Sequence, residues 1–187
     1  MPKSPDLTRK LVLLLSLPLS LACGESEPEP APTPEAPAAP AESAEITALR
    51  AKFDPFQDFA RAQEAGYGTA ITSCWFHRDN GGQGIHYARQ ELIDSVVAPM
   101  DPELVMYEPQ QDSTLSLVAV EYIVPFDQWK SETPPTVLGQ TFHRNETLKL
   151  FVLHAWLWRD NPSGMHADWN PSVSCQYAKE SEDRAGA

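Results

Sequence analysis

Two imidazoles and one carboxylate stand out in otherwise apolar, strand-like segments. His86 lies between Gly84 and Ala88, Glu121 shares an alternating face with Leu115, Leu117, Ala119 and Ile123, and His154 falls between Val152 and Trp156. A titratable group in such a run is expensive to bury unless a partner satisfies it. Imidazole nitrogen and carboxylate oxygen are donors that suit a divalent transition metal, and three of them leave positions open for water or a ligand. The three residues come from separate segments with no H-x-H or H-E-x-x-H spacing. Their convergence is therefore inferred from face parity, which one bulge would reverse. A polar core network, with His154 and Glu121 bonded to each other, to Tyr or Trp, or to backbone, explains the same residues without a metal. Misread registers would place them in solvent instead.

A second site is suggested by the run that holds His154. One face of residues 148–159 carries Leu148, Leu150, Val152, His154, Trp156 and Trp158, so the two indoles could line a pocket for a small apolar or aromatic ligand. The remaining histidines read as surface residues: His77 at a strand end, His143 ahead of Arg144 in a loop, and His166 beyond a turn. No pattern of a nucleophile elbow, phosphate loop or EF-hand occurs, and no catalytic residue is assigned. An acid or base role for Glu121 would need a raised pKa and a substrate within reach.

The elements that must position these groups are short. Ile46, Leu49, Phe53, Phe56 and Phe59 recur at three- and four-residue steps, Asp54-Pro55 resembles a helix start, and Gly66 is a stop, which predicts one or two short helices over 45–65. Strands are predicted at 69–76, 84–88, 104–108, 115–124 and 148–159, separated by turn clusters such as Asp79-Asn80-Gly81-Gly82 and Asn161-Pro162-Ser163-Gly164. The expected class is α+β: a curved antiparallel sheet of about five strands, a partial barrel, with the N-terminal helices packed on it. Because both faces of 148–159 are apolar, one face should meet the helices and the other line the hollow of the sheet.

Cysteine usage sets the compartment. Residues 1–22 place Lys3, Arg9 and Lys10 ahead of an apolar run too short to span a bilayer, the layout of a cleaved export signal. Residues 23–45 read as a tether, since positions 24–45 hold six Pro, six Glu and no basic residue and can neither build a core nor offset the entropy of ordering. Three cysteines would leave one thiol over unless Cys23 is used otherwise; Cys74 and Cys175 then form the expected disulfide, with a reactive or metal-binding thiol pair as the rival reading. One domain over 46–178 and a disordered tail over 179–187 complete the expected layout. A formal net charge of −12 argues against nucleic acid as a partner and against an electrostatic hold on anionic lipid.

Leu19-Ser20-Leu21-Ala22-Cys23 resembles the lipobox of bacterial lipoproteins, with Ser20 where that family usually has Leu. The resemblance implies an acyl chain on Cys23, attachment to a lipid bilayer, and a cell-envelope location facing the periplasm or exterior. Gly24 resembles the lipoproteins that travel on to an outer membrane. Further along, Gly84-Ile85-His86-Tyr87, Tyr107-Glu108-Pro109, Val120-Glu121-Tyr122, His154-Ala155-Trp156-Leu157-Trp158, Asn161-Pro162-Ser163-Gly164-Met165 and Trp169-Asn170-Pro171-Ser172-Val173-Ser174-Cys175 resemble a family of secreted bacterial proteins with no established activity. That resemblance supports the domain limits and the disulfide and implies no substrate; His166 stands where the family pattern has an aromatic.

Three functional readings follow. The domain is a non-catalytic module for a small apolar ligand, with Trp156 and Trp158 in its pocket; alternatively it is a metal-binding protein or metal-dependent enzyme using His86, Glu121 and His154; or it is an interaction module for another envelope protein, with every Trp in the core.

Overall fold

Ser43 is the first residue that the computed structural model describes; the described chain runs over residues 43–185, and Cys23, the export segment and all but the last residues of the tether lie outside it. The Ser43 hydroxyl accepts the Ile46 N–H at 3.2 Å, so α1 (Ala44–Phe53) starts two residues ahead of the expected domain limit at 46. It buries Ile46, Leu49 and Phe53, the three- and four-residue stripe seen in the sequence. Asp54-Pro55 opens a single 3-10 turn (Asp54–Gln57), and Asp58 then caps α2 (Phe59–Glu64) by accepting the Ala60 N–H. No helix among the described residues is long and apolar enough to cross a membrane.

Ten strands follow: β1 (Thr69–Ala70), β2 (Cys74–His77), β3 (Gly81–Ala88), β4 (Leu104–Pro109), β5 (Leu115–Pro125), β6 (Thr136–Val137), β7 (Gln140–Thr141), β8 (His143–Asn145), β9 (Leu150–Ala155) and β10 (Ser181–Asp183). Eight of them form one sheet in the order β10-β2-β3-β4-β5-β9-β8, with β1 beside β3, while β6 and β7 make a separate hairpin. The sheet is antiparallel except where β10 runs parallel to β2, and it curls into a half-barrel with the short helix packed on it. The α+β class is the one expected; the sheet is larger. The additional strands are two to four residues long, too short to show a period of their own. Two of them change earlier readings: His143 lies in β8 rather than in a loop, and the tail, expected to be disordered from 179, pairs Ser181–Asp183 with Cys74–Phe76.

Two faces result. Val105, Tyr107, Val120, Tyr122, Val124, Phe151, Leu153 and Ala155 pack with Ile46, Leu49 and Phe53 of α1 in the main core. The other face holds two smaller clusters, one of Met106, Val118, Ala119, Trp156 and Val173, the other of Ala88, Leu104, Ile123 and Val152. Between β4 and β5 the register moves from Met106↔Ala119 to Tyr107↔Leu117, which leaves Val118 as an extra residue. That bulge sends Leu115 and Leu117 to the helix side, away from Glu121, whereas Ala119 and Ile123 stay on the Glu121 side as the alternation requires.

The 148–159 run is shorter than its pattern suggests. β9 ends at Ala155, Trp156 N–H donates to Met165 O at 3.0 Å, and Trp158 N–H donates to Val118 O at 3.1 Å. Trp156 joins the cluster under Val173, while Trp158 packs on the main core and donates Nε1–H to Asp54 Oδ1 at 2.7 Å. The two indoles therefore do not share a pocket, a correction to the reading of one continuous strand face.

Cys74 and Cys175 form a disulfide with Cα atoms 5.7 Å apart across 101 residues of sequence. The rival thiol-pair reading is thereby removed. Closing a loop of that size constrains the unfolded chain, and the expected result of replacing both with Ser is a loss of roughly 4 kcal/mol of unfolding free energy in urea titrations.

Glu103 supplies a second stabilising contact of unusual kind. The Pro102 carbonyl is taken by the Tyr67 hydroxyl at 2.7 Å, and the Ile123 N–H on β5 donates instead to Glu103 Oε2 at 3.0 Å. Burial pushes the Glu103 carboxyl up to about 8, while the Ile123 N–H opposes the rise. The unfolded chain ionises this group near its ordinary value and the folded chain only near pH 8, so the folded state binds the extra proton in between. Its stabilising contribution is whole at low pH and is lost as pH rises from about 4.5 to 8. Glu103→Gln keeps the acceptor and cannot ionise. The variant should match the parent at pH 4 and exceed it at pH 8.5 by up to about 4 kcal/mol in urea midpoints taken across that range.

Candidate metal centre

Glu121 and His154 are direct cross-strand partners on β5 and β9, and His86 sits on β3, two strands away on the same face. Leu104 and Met106 of β4 lie between them and provide an apolar floor. The ligand atoms of His86, Glu121 and His154 all lie within 4.8 Å of one another. These are the three residues singled out from face parity, brought together because the bulges at Gln83 and Val118 fall outside the paired rungs that carry them. All three are buried, His86 at 2% exposure, Glu121 at 6% and His154 at 2%.

The spacing is wrong for a satisfied hydrogen-bond network. His86 Nε2 stands 3.4 Å from Glu121 Oε2, and His154 Nε2 stands 3.5 Å from Glu121 Oε1, whereas good N–H···O bonds cluster near 2.9 Å. Glu121 Oε2 has no hydrogen-bond partner, nor has His154 Nδ1. Two donors each about 2.0 to 2.1 Å from a tetrahedral zinc ion are about 3.3 Å apart, close to both separations.

Each imidazole is held from behind. Thr72 Oγ1 lies 2.9 Å from His86 Nδ1 and accepts the His86 backbone N–H at 3.0 Å. With the ring proton on Nδ1 directed at Thr72, Nε2 presents a lone pair to Glu121. Behind His154, Asp168 Oδ1 lies 3.6 Å from Nδ1 and also 3.3 Å from Nδ1 of His143, whose ring stacks at 6.4 Å on that of His154. His166 Nδ1 lies 2.7 Å from the His154 carbonyl, so His166 supports the strand and contributes no nitrogen to the centre. A carboxylate behind a ligating imidazole fixes the tautomer and raises the basicity of the nitrogen facing the metal.

The electrostatics follow from burial. Desolvation, reinforced by His154, lowers His86 to about 3 and keeps it neutral. Desolvation raises Glu121 to about 7, with His154 opposing and Asp168 adding to the rise. Burial alone would lower His154, but Glu121 and Asp168 outweigh it and the imidazole is held above its ordinary value. Its own desolvation would raise Asp168, but the attraction of His154 and of the neighbouring His143 outweighs it and the carboxyl is lowered. A neutral imidazole offers its lone pair without losing a proton, and a carboxyl poised near neutrality gives up its proton readily to a cation.

Asp168 is brought over the site by glycines. Gly82 and Asn170 exchange backbone hydrogen bonds of 3.0 and 3.1 Å, and a Cβ on Gly81, whose φ is +98°, would lie 2.2 Å from Asn170 O. The segment 166–175 can lie on β3 only because that stretch has no side chains. Asp79-Asn80-Gly81-Gly82 thus ends in a strand rather than in a turn. Between β2 and β3 the register passes from Trp75↔Gly84 to Phe76↔Gly82, which makes Gln83 the extra residue of a bulge and turns its amide to within 3.5 Å of His154 Nε2.

The sequence therefore indicated the three central residues and missed Gln83, Thr72, Asp168 and His143. Gln83 carried one signal, a polar residue set among glycines, where a bulge re-aims a side chain. Asp168 and His143 carried none, since their placement depends on a loop and on a three-residue strand. A cavity of about 110 Å³ adjoins the centre, lined by Trp75, Gln83, His143, Asp168 and Trp169 together with Glu121 and His154.

No family model, curated protein or solved structure matches the chain. The chemistry of the site is consequently argued from its geometry.

Gly81→Ala should lift segment 166–175 from β3. The expected result is a loss of about 2 kcal/mol or more in urea unfolding, together with faster hydrogen exchange at the Asn170 amide than at the amides of β5.

Proposed function

We propose that the domain binds one divalent transition metal through His86 Nε2, the Glu121 carboxylate and His154 Nε2. The observation that carries this reading is the orphaned buried atom Glu121 Oε2, in a cluster whose donors are spaced for coordination and not for hydrogen bonding. Burying three titratable groups without good mutual bonds costs several kcal/mol, and a fold keeps such an arrangement where the groups have work to do. Two imidazoles and a carboxylate without thiolate suit zinc, iron(II) or manganese(II) better than copper(I). Thr72 and Asp168 stand where outer partners of the two imidazoles belong.

The setting is part of the same proposal. An acyl chain on Cys23 would anchor the protein to a bilayer of the cell envelope, and the Pro/Glu/Ala tether would hold the domain off that surface. The alternative of a small apolar ligand between Trp156 and Trp158 loses its pocket wall, because the two indoles pack in different clusters.

The test is elemental analysis of the exported full-length protein, extracted in mild detergent and purified without affinity tag or chelator. The expected result is close to one zinc, iron or manganese per chain. Glu121→Gln and His154→Gln should each weaken affinity by more than about a hundredfold at unchanged circular dichroism, and Asp168→Asn by about ten- to a hundredfold. A folded protein that arrives without metal and takes up none on dialysis against zinc, iron(II) or manganese(II) overturns the proposal and leaves the triad as a core network.

A further inference from the structure

With Glu121 bound through one oxygen, the three residues leave a four-coordinate shell one donor short. Among the described residues no fourth His, Cys, Asp or Glu joins the group, and Asp168 faces the Nδ1 side of His154, away from the nitrogen that meets Glu121. The cavity of about 110 Å³ adjoins the same carboxylate and the same imidazole. At about 30 Å³ per liquid water, it admits roughly three or four small atoms and no sugar, nucleotide or peptide.

Gln83 is the polar group poised at that opening. Its side chain is buried, and its Nε2 donates to the Asp168 carbonyl at 2.9 Å, which fixes which end of the carboxamide is nitrogen. One amide hydrogen is used there. The second has only the 3.5 Å approach to His154 Nε2, a nitrogen whose lone pair a metal would occupy. With metal bound, this hydrogen is left facing whatever holds the vacant position. The backbone is built to put it there. Gln83 is the extra residue of the β2–β3 bulge, and Gly84 at φ +84° follows it so closely that a Cβ would lie 2.4 Å from Tyr107 O. Simple alternation would place residues 83 and 86 on opposite faces; the bulge places both at the centre.

We infer that the metal keeps one position open to the cavity, that this position takes a small monovalent anion of the hydroxide class, and that Gln83 holds the anion by donating its second amide hydrogen. The inference rests on the metal-binding reading of the preceding section. It makes the centre an open, ligand-exchanging site and not a closed structural one. Gln83 acts as a positioning residue: it touches the exchangeable ligand and contributes nothing to the hold on the metal itself.

The test uses cobalt(II) in the full-length protein and azide as the probe. Cobalt gives visible absorption that depends on its coordination, and azide is small enough for the cavity. In the parent protein, azide should change the cobalt spectrum saturably. Gln83→Met, and Gln83→Asn as a shorter variant that keeps the polarity, should bind cobalt as the parent does but bind azide at least about tenfold more weakly. A cobalt spectrum that does not respond to azide shows a closed shell and overturns the inference while the metal reading stands. An azide affinity equal in parent and in both variants overturns the role of Gln83. Absence of any cobalt spectrum removes the metal reading and this inference with it.

Discussion

Glu121 is a carboxylate with nowhere dry to go except between two imidazoles, and the molecule is arranged around that constraint. It faces His154 across one rung of the β5–β9 ladder and reaches over β4 to His86. Shifting either pairing by one residue would move the whole set to the helix-covered face, where Tyr122, Val120 and Leu153 now pack against α1. The apolar alternation of β4, β5 and β9 is thus what holds the register, and the register is what assembles the centre. Hydrophobic burial on one side of the sheet fixes polar geometry on the other.

The irregular features serve the same end. The bulge at Val118 lies beyond the rung that carries Glu121 and so alters the packing of Leu115 and Leu117 without disturbing the donors. The bulge at Gln83 does the reverse, adding a group to the centre that regular pairing would have turned away. Gly81 and Gly82 let the backbone around Asn170 rest on β3, and that contact brings Asp168 behind His154. Four residues with little or no hydrophobic surface of their own, Gln83, Gly81, Gly82 and Asn170, decide what surrounds the imidazole.

How much of this was legible in the sequence depended on length and on periodicity. β5 and the first part of the last long run alternate over enough residues to show both strand and face, and His86 stands out in the short run 84–88, so the three could be grouped from parity. The helices were legible through Ile46, Leu49 and Phe53 and through Asp54-Pro55. β8, β10 and the β6–β7 hairpin were not, since two or three residues carry no period, and their pairing is a tertiary outcome. Trp158 was misplaced because alternation continues in the sequence after the chain has left the sheet at Trp156. Asp168 was invisible for a related reason: a loop residue has no face until something fixes the loop.

The disulfide bears on when the molecule is finished as well as on how firmly it is held. Cys74 opens the strand whose next residue, Trp75, packs on His86, and Cys175 ends the segment that carries Asp168 and Asn170. Without the bond, that segment would rest on the sheet through its hydrogen bonds to Gly82 and the packing of Val173. Maturation then divides into two clocks. Pairing of the sheet is timed by the chain itself, whereas closure of the wall behind His154 waits on an oxidant that joins Cys74 to Cys175. A copy kept in a reducing environment would present its donors in a vessel with one side unsealed.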